Sequence, residues 1–435
     1  MKKTISERGL KATQTELRSD LEMFFEAKEN MWAAENLEGK FPLNMAENNL
    51  SWNLLQKKIS EIMKTQSLPK WVSNYTGIVG HDSYLEAIAH FMSKHLTDAS
   101  INPENLMTSA GATAVLEVAS WILCDKGDVA AFPAPCYPVY TQDINNKAAV
   151  ERYDLITHHD IHDIMDGPLL SIDHLEKAKK DIAAKGKNFK MLVLTTPDNP
   201  TGGIYNTALL ISIAEWCIEH GVHLLVNELY GLSIIDTQHP SLSEDYKVHY
   251  PFSSFAQIMT RYKSDFLHLA YGLSKDLGIS GFRVGILYSL NQKIIEAYKN
   301  MNAPHMVSNL TQWIVQEVLN DDNFMTDYIR ENKRKLTDNY VQVIETLKKC
   351  KVPYAPARGS LFVWLELSHL MNANTAEAES KLWMDIYNKT GILLTPGDGF
   401  GHSKHGQFRL VYSFMEKKPL EIAMQRFKTF LETQV

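Results

Sequence analysis

A lysine and an arginine eight residues apart, set among glycines, carry the most suggestive chemistry in this chain. They stand in the run Tyr271-Gly272-Leu273-Ser274-Lys275-Asp276-Leu277-Gly278-Ile279-Ser280-Gly281-Phe282-Arg283-Val284-Gly285. A lysine at a strand end can form a Schiff base when its surroundings lower its pKa, and a nearby arginine can hold a phosphate. Alone, such a pair would be a solvated lysine and a surface arginine. It is not alone. Gly111-Ala112-Thr113-Ala114-Val115 opens a helix directly after a candidate strand at Leu106–Ser109. Free backbone N–H groups and the positive end of the helix dipole make that turn a phosphate seat, although a single Gly-x-Thr start is ordinarily just a cap. Pro135-Cys136-Tyr137-Pro138 and Thr196-Pro197-Asp198-Asn199-Pro200-Thr201-Gly202 also follow strand candidates, where open α/β sheets bind ligands. Read blandly they are turn punctuation. Read chemically, Tyr137 offers an aromatic face to a ring and Asn199 an amide to a ring hydroxyl.

The elements that must position these residues alternate along the chain. Short β-forming apolar runs lie at Val129–Phe132, Met191–Leu194, His223–Val226, Phe266–Ala270 and Val284–Tyr288, with helical spacing at Thr113–Leu123 and Thr207–His220. That alternation predicts βαβ units and a mostly parallel sheet buried on both faces. Ser308–Leu319 and Tyr328–Lys348 read as long amphipathic helices separated at Asp321-Asp322-Asn323. Strand, helix and strand candidates follow at Ser360–Leu367, Ala376–Lys389 and Phe408–Phe414, an α+β unit. The expected organisation is a large domain at 56–310 and a smaller one built from 1–55 and 311–435.

Composition excludes several classes. The 435 residues are 45% hydrophobic and 22% charged, with eight Trp, so the chain can bury a sizeable core and is not disordered. With 44 basic against 51 acidic residues, the net charge of −7 gives no overall field for nucleic acid or an anionic membrane. Four dispersed cysteines, Cys124, Cys136, Cys217 and Cys350, suggest neither a disulfide framework nor a structural zinc. No apolar h-region follows Met1-Lys2-Lys3 and no run approaches a membrane span, so a cytoplasmic protein is expected.

Taken together, the motifs resemble those of fold-type-I pyridoxal-phosphate enzymes of the class I/II aminotransferase group, and among them 1-aminocyclopropane-1-carboxylate (ACC) synthases and their relatives. Ala46-Glu47-Asn48-Asn49-Leu50, Tyr75-Thr76-Gly77, the Gly-Ala-Thr turn, Cys-Tyr-Pro, Asp-Asn-Pro-Thr-Gly, the Lys275 run and Phe408-Arg409 occur in the family's order. The resemblance implies an α/β transferase fold with helices on both faces of the large sheet, pyridoxal 5′-phosphate as cofactor, and a homodimer. It also implies roles. Lys275 and Tyr230 are the catalytic candidates, Lys275 forming the Schiff base and then moving the Cα proton. Arg283, Ala112 and Thr113 would bind the cofactor phosphate, and Tyr75 would reach the phosphate of the neighbouring subunit. Tyr137 would stack on the pyridine ring, with Asn199 and Tyr230 on its 3′-oxygen. Arg409 would grip the substrate carboxylate with its planar fork. Glu47 matches a substrate-facing position of the ACC synthase branch.

Two positions depart from the pattern. Asn227, in His223-Leu224-Leu225-Val226-Asn227-Glu228-Leu229-Tyr230, stands where the family has the Asp that keeps the pyridine nitrogen protonated. Loss of that charge should lower the nitrogen's pKa and weaken the electron sink, unless an unrecognised neighbour compensates. Glu228 should point to the other face of the strand. Gly272 stands where many relatives carry a phosphate-binding Ser; either phosphate affinity falls, or Ser274 or a loop residue substitutes. Elsewhere, His158 and His162 stand four apart as metal ligands on a helix would, yet read more plainly as solvated residues of a polar connection; no metal is expected. Gly397-Asp398-Gly399-Phe400-Gly401 matches the family's small-domain loop near the substrate mouth.

The resulting expectation is an aminotransferase-like enzyme acting on a small amino acid through an external aldimine. A lyase or cyclase of the ACC synthase type is the alternative, on a substrate with a Cγ leaving group such as S-adenosylmethionine. A degenerate cofactor-binding protein is a third.

Overall fold

The computed structural model describes residues 4–13, 19–164, 167–246, 248, 250–401 and 404–434. Seven strands form the larger sheet: β1 (Leu106–Ala110), β2 (Val129–Ala134), β3 (Glu151–Ile156), β4 (Phe189–Thr195), β5 (His223–Asn227), β6 (Leu267–Gly272) and β7 (Val284–Ser289). Their order is β1-β7-β6-β5-β4-β2-β3, parallel from β3 across to β6, with β7 antiparallel to both β6 and β1. Consecutive residues of β6 and β7 are all buried, so both faces are covered, as the continuous apolar runs of parallel-sheet strands require.

The crossover helices are locally specified. Thr207–His220, between β4 and β5, is capped by the Asn206 side chain accepting from the Leu209 N–H and ends at Gly221 in the left-handed region. Ala112–Leu123, between β1 and β2, starts without a side-chain cap, leaving its first N–H groups at the cavity described below.

A smaller antiparallel sheet contains β8 (Tyr354–Ala355), β9 (Phe362–Glu366), β10 (Thr395–Pro396) and β11 (Gln407–Val411) in the order β10-β11-β9-β8. Its helices are Asp322–Lys349, Ala376–Thr390 and Lys417–Glu432. One apolar cluster runs from Leu55 to Tyr328 around the large sheet. A second joins Phe24, Phe41 and Leu43 to residues between Leu336 and Leu431 around the small one. Backbone bonds from Phe41 N–H to Gly391 O (2.8 Å) and from Val411 N–H to Leu43 O (2.8 Å) fasten the N-terminal segment to the small sheet. That anchorage delivers Asn44 to Glu47 to the cleft between the two clusters.

Three details differ from expectation. Strand β3 was not anticipated: Glu-Arg-Tyr-Asp-Leu-Ile is a half-exposed edge strand without the apolar run of its neighbours. The helix expected from Tyr328 begins at Asp322, because the Asp321 side chain accepts from the Phe324 N–H and caps it earlier. His158 is buried against Thr157 rather than solvated, while His162 is exposed on a single 3-10 turn.

Candidate active site

The C-terminal ends of β4, β5 and β6 open into a cavity of about 280 Å³, the position at which open α/β sheets place ligands. Lys275, Arg283, Tyr137, Asn199, Asn227, Tyr230 and Arg409 all line it, together with Ala112 and Thr113. Residues far apart in sequence therefore share one volume.

Lys275 lies in the one-turn helix Leu273–Asp276 that follows β6 directly. Its neighbour fixes the turn: the buried Asp276 carboxylate accepts from Ser233 Oγ (2.6 Å), Leu232 N–H (2.9 Å) and the Tyr271 hydroxyl (2.9 Å). Lys275 Nζ donates to Ala46 O at 2.6 Å. Burial lowers its pKa to about 8, with Glu47 opposing and the positive charges of Arg409 and Arg283 adding to the fall. About a tenth is thus uncharged amine at neutrality, several hundredfold more than for an ordinary lysine, and this is the form that attacks carbonyl carbon.

Arg283 faces the start of the Ala112–Leu123 helix. Its Nη1 donates to Ser280 O (2.8 Å) and its Nη2 to Ala110 O (3.3 Å), which aims the guanidinium across Gly111. A β-carbon on Gly111 would fall 2.1 Å from Arg283 Nη2, and the residue's φ of +96° suits glycine. The sheet closes behind this corner, where Gly272 pairs with Gly285. A β-carbon on Gly272 would meet Val284 O at 2.9 Å and Leu229 Cδ1 at 3.0 Å, so the missing serine hydroxyl would have to displace backbone. Ser274 and Ser280 both line the cavity here, and Ser280 Oγ donates to Ser274 O (3.1 Å).

The opposite wall is aromatic and amide. Tyr137 packs edge-on to Tyr140 at 5.4 Å between centroids. Tyr230 is buried, edge-on to Phe362, and burial pushes its hydroxyl well above the usual phenol range despite the nearby Arg409 charge. Asn227, the last residue of β5, gives its amide to the Tyr140 hydroxyl (3.0 Å) and takes the Leu229 N–H (3.1 Å). Glu228 does face away, accepting from Ser254 Oγ and Phe255 N–H outside the cavity.

Arg409, on β11, is buried over the rings of Phe362 (4.6 Å) and Phe400 (5.6 Å). Nη1 donates to Asn199 Oδ1 (2.9 Å), and Nη2 to Asn44 O (2.9 Å) and Thr395 Oγ1 (3.3 Å). Phe400 brings the glycine-rich loop into the site, and its carbonyl accepts the Cys136 N–H (2.8 Å).

Two expected residues are not among those lining the cavity. Tyr75 is completely exposed, and Glu47 is half-buried, close enough for its charge to act on Lys275. Conversely Tyr140, Asp143, Asn44 and Ser280 line the cavity without having been singled out. Tyr137, Tyr140 and Asp143 recur every third residue, a spacing that would place Tyr140 and Asp143 together on a helix. No group of His, Cys, Asp and Glu among the described residues is arranged to hold a metal.

The residues fit a phosphorylated aldehyde: a buried amine of lowered pKa, an arginine over a helix start, and a corner that one β-carbon would fill. Comparison with known proteins agrees. The profile of the family "Aminotransferase class I and II" matches residues 41–427. ACC synthase 11 of Arabidopsis thaliana is 28% identical over 405 residues, covering 91% of this chain and 85% of that protein. An ACC synthase of Glycine max is 29% identical over 411 residues, covering 91% and 81%. Among solved structures, a Thermus thermophilus aspartate aminotransferase double mutant superposes with a TM-score of 0.77 at 17% identity, covering 98% and 99%. An archaeal alanine:glyoxylate aminotransferase gives 0.79 at 16%, covering 99% and 98%. The chain is a fold-type-I, pyridoxal-phosphate-dependent enzyme belonging to the class I and II aminotransferase family.

Proposed function

We propose that this enzyme acts on the Cα of a small α-amino acid, as an aminotransferase-like catalyst. The observation that carries the reading is the meeting of Lys275 and Arg409 in one cavity, an amine able to take a proton and a buried guanidinium able to fix a carboxylate. Bound pyridoxal phosphate supplies an aldehyde for the amino group and a ring that withdraws electrons from Cα. The chain's residues do the rest. Lys275 would hold the cofactor, and its amine would move the proton at the substrate Cα. Arg283 and the N–H groups at Ala112 and Thr113 bind phosphate. Tyr137 stacks on the ring, and Asn199 and Tyr230 donate to its oxygen. Arg409 is held ready by Asn199, Asn44 O and Thr395, so the carboxylate meets a preset fork.

ACC synthase-type elimination with ring closure is the second reading. It is favoured by Glu47, whose carboxylate is the acidic group acting on Lys275, and by the names of the relatives in Arabidopsis thaliana and Glycine max. The reading also includes a homodimer, in which the fully exposed Tyr75 would serve the neighbouring cavity. It includes a division into 56–310 and 1–55 with 311–435, which the two apolar clusters follow in outline although the first runs on to Tyr328 and the second takes in Leu229 to Tyr246, and a cytoplasmic location. No helix among the described residues is long and apolar enough to cross a membrane.

Titration of the loaded enzyme with a panel of amino acids and S-adenosylmethionine, with analysis of the released products, separates the readings. Keto acid and aminated cofactor support transamination; methylthioadenosine with a cyclic amino acid supports the second; no spectral change with any of them refutes both.

A further inference from the structure

The cavity does not stop at Asn227. Thr195 and Asn227 are register partners at the ends of β4 and β5, and two residues back on the same face are Val193 and Leu225, also partners. Both line the cavity, as does Leu116 from the Ala112–Leu123 helix. Asp143, from the short helix Tyr140–Asn145, lines the same cavity. It is 6% exposed and has no hydrogen-bond or ion-pair partner among the described residues. Burying a carboxylate is unfavourable unless a counter-charge or donor meets it. The other carboxylate of the cavity, Asp20, is already engaged by the Asn44 amide (3.2 Å).

Asp143 is coupled to the position where charge is missing. It stands one helical turn from Tyr140, whose hydroxyl accepts from Asn227 Nδ2 (3.0 Å) and bonds Thr195 Oγ1 (2.8 Å), and its charge acts on that hydroxyl. We propose that Asp143 supplies the negative charge that Asn227 lacks, holding the ring nitrogen of bound pyridoxal phosphate protonated across the Tyr140–Asn227 pair. This rests on the ring placement at Tyr137 and Asn227 proposed above.

The charge balance is simple. Burial first, then the charge of Glu117 on the facing helix, pushes the Asp143 carboxyl up to about 7, while Glu117 is itself tied to Lys147 (2.8 Å) and His305 (3.1 Å). A neutral carboxyl and a ring-nitrogen lone pair become a carboxylate and a pyridinium; one proton moves and no other group changes charge. Each ion favours the other, more strongly in a recess lined by apolar side chains than in water. Asp143 is thus a positioning residue for charge, acting through Tyr140 and Asn227.

The test is the nuclear magnetic resonance shift of an isotope-labelled ring nitrogen in pyridoxal phosphate bound to the enzyme near neutral pH. The wild type is expected to show pyridinium, Asp143→Asn the free pyridine with Lys275 still carrying the cofactor, and Asp143→Asn with Asn227→Asp pyridinium again. Asp143→Leu suits the recess and gives the same loss should the asparagine variant not fold. A neutral nitrogen in the wild type, or an unchanged pyridinium in the Asp143 variants, overturns the proposal. Failure of the wild type to take cofactor on Lys275 instead overturns the placement beneath it.

Discussion

Gly111 and Arg283 occupy complementary space: a β-carbon on Gly111 would lie 2.1 Å from Arg283 Nη2 and 2.7 Å from its Cζ. The arginine reaches the helix start because position 111 has no side chain, and the backbone there has a φ of +96° and a ψ of 167°, a region reserved for glycine. Gly111→Ala is expected to cost about 1–3 kcal/mol of stability from backbone strain. It should also weaken pyridoxal phosphate binding roughly tenfold or more, as a displaced guanidinium loses a charged hydrogen bond. Cofactor titration alongside thermal unfolding checks both; unchanged affinity would remove Arg283 from the phosphate site.

Gly272→Ser adds a hydroxyl beside the proposed phosphate site, yet it is not expected to tighten cofactor binding. The added β-carbon meets Val284 O at 2.9 Å, and the β6–β7 pairing must yield before the hydroxyl can reach a phosphate. Lower thermal stability with equal or weaker affinity is the expected result. A gain in affinity without loss of stability would show that the sheet accommodates the side chain.

Capture of pyridoxal phosphate by the cofactor-free protein should depend on pH through Lys275. The amine is the reactive form, and burial brings its pKa from 10.5 to about 8. Below that value the reactive fraction grows about tenfold per pH unit, and above it the rate should level. Stopped-flow absorbance over a pH series measures it. A rate still climbing towards the ordinary lysine pKa would mean that the amine is solvated.

Arg409→Lys should leave the cofactor spectrum intact and weaken amino-acid binding. A lysine keeps the charge but not the fork, and cannot retain Asn199, Asn44 O and Thr395 while meeting a carboxylate. A lost charged hydrogen bond costs about 1.5–3 kcal/mol, roughly tenfold or more in affinity. Equal substrate titrations in the two proteins would exclude Arg409 from carboxylate recognition.

What could be read from sequence follows physical lines. Strands β4, β5 and β6 were legible because burial on both faces demands unbroken apolar runs, and the helix Thr207–His220 because Asn206 and Gly221 punctuate it. The edge strand β3, with its charged Glu-Arg-Tyr-Asp, carries no such signal. Lys275, Arg283, Asn199 and Arg409 were found because they sit in motifs whose order along the chain is informative. Asp143 belongs to no motif. Its place depends on how the helix Tyr140–Asn145 packs beside the Ala112–Leu123 helix at the cavity, an arrangement that only the folded chain creates.

Lys275 is the proposed point of attachment for pyridoxal phosphate. Loading the purified protein with the cofactor, reducing it with borohydride and mapping the modified peptide tests this directly. A single pyridoxyl group is expected on Lys275, absent from Lys275→Ala. A label on another lysine, or no label with the cofactor in excess, would contradict it.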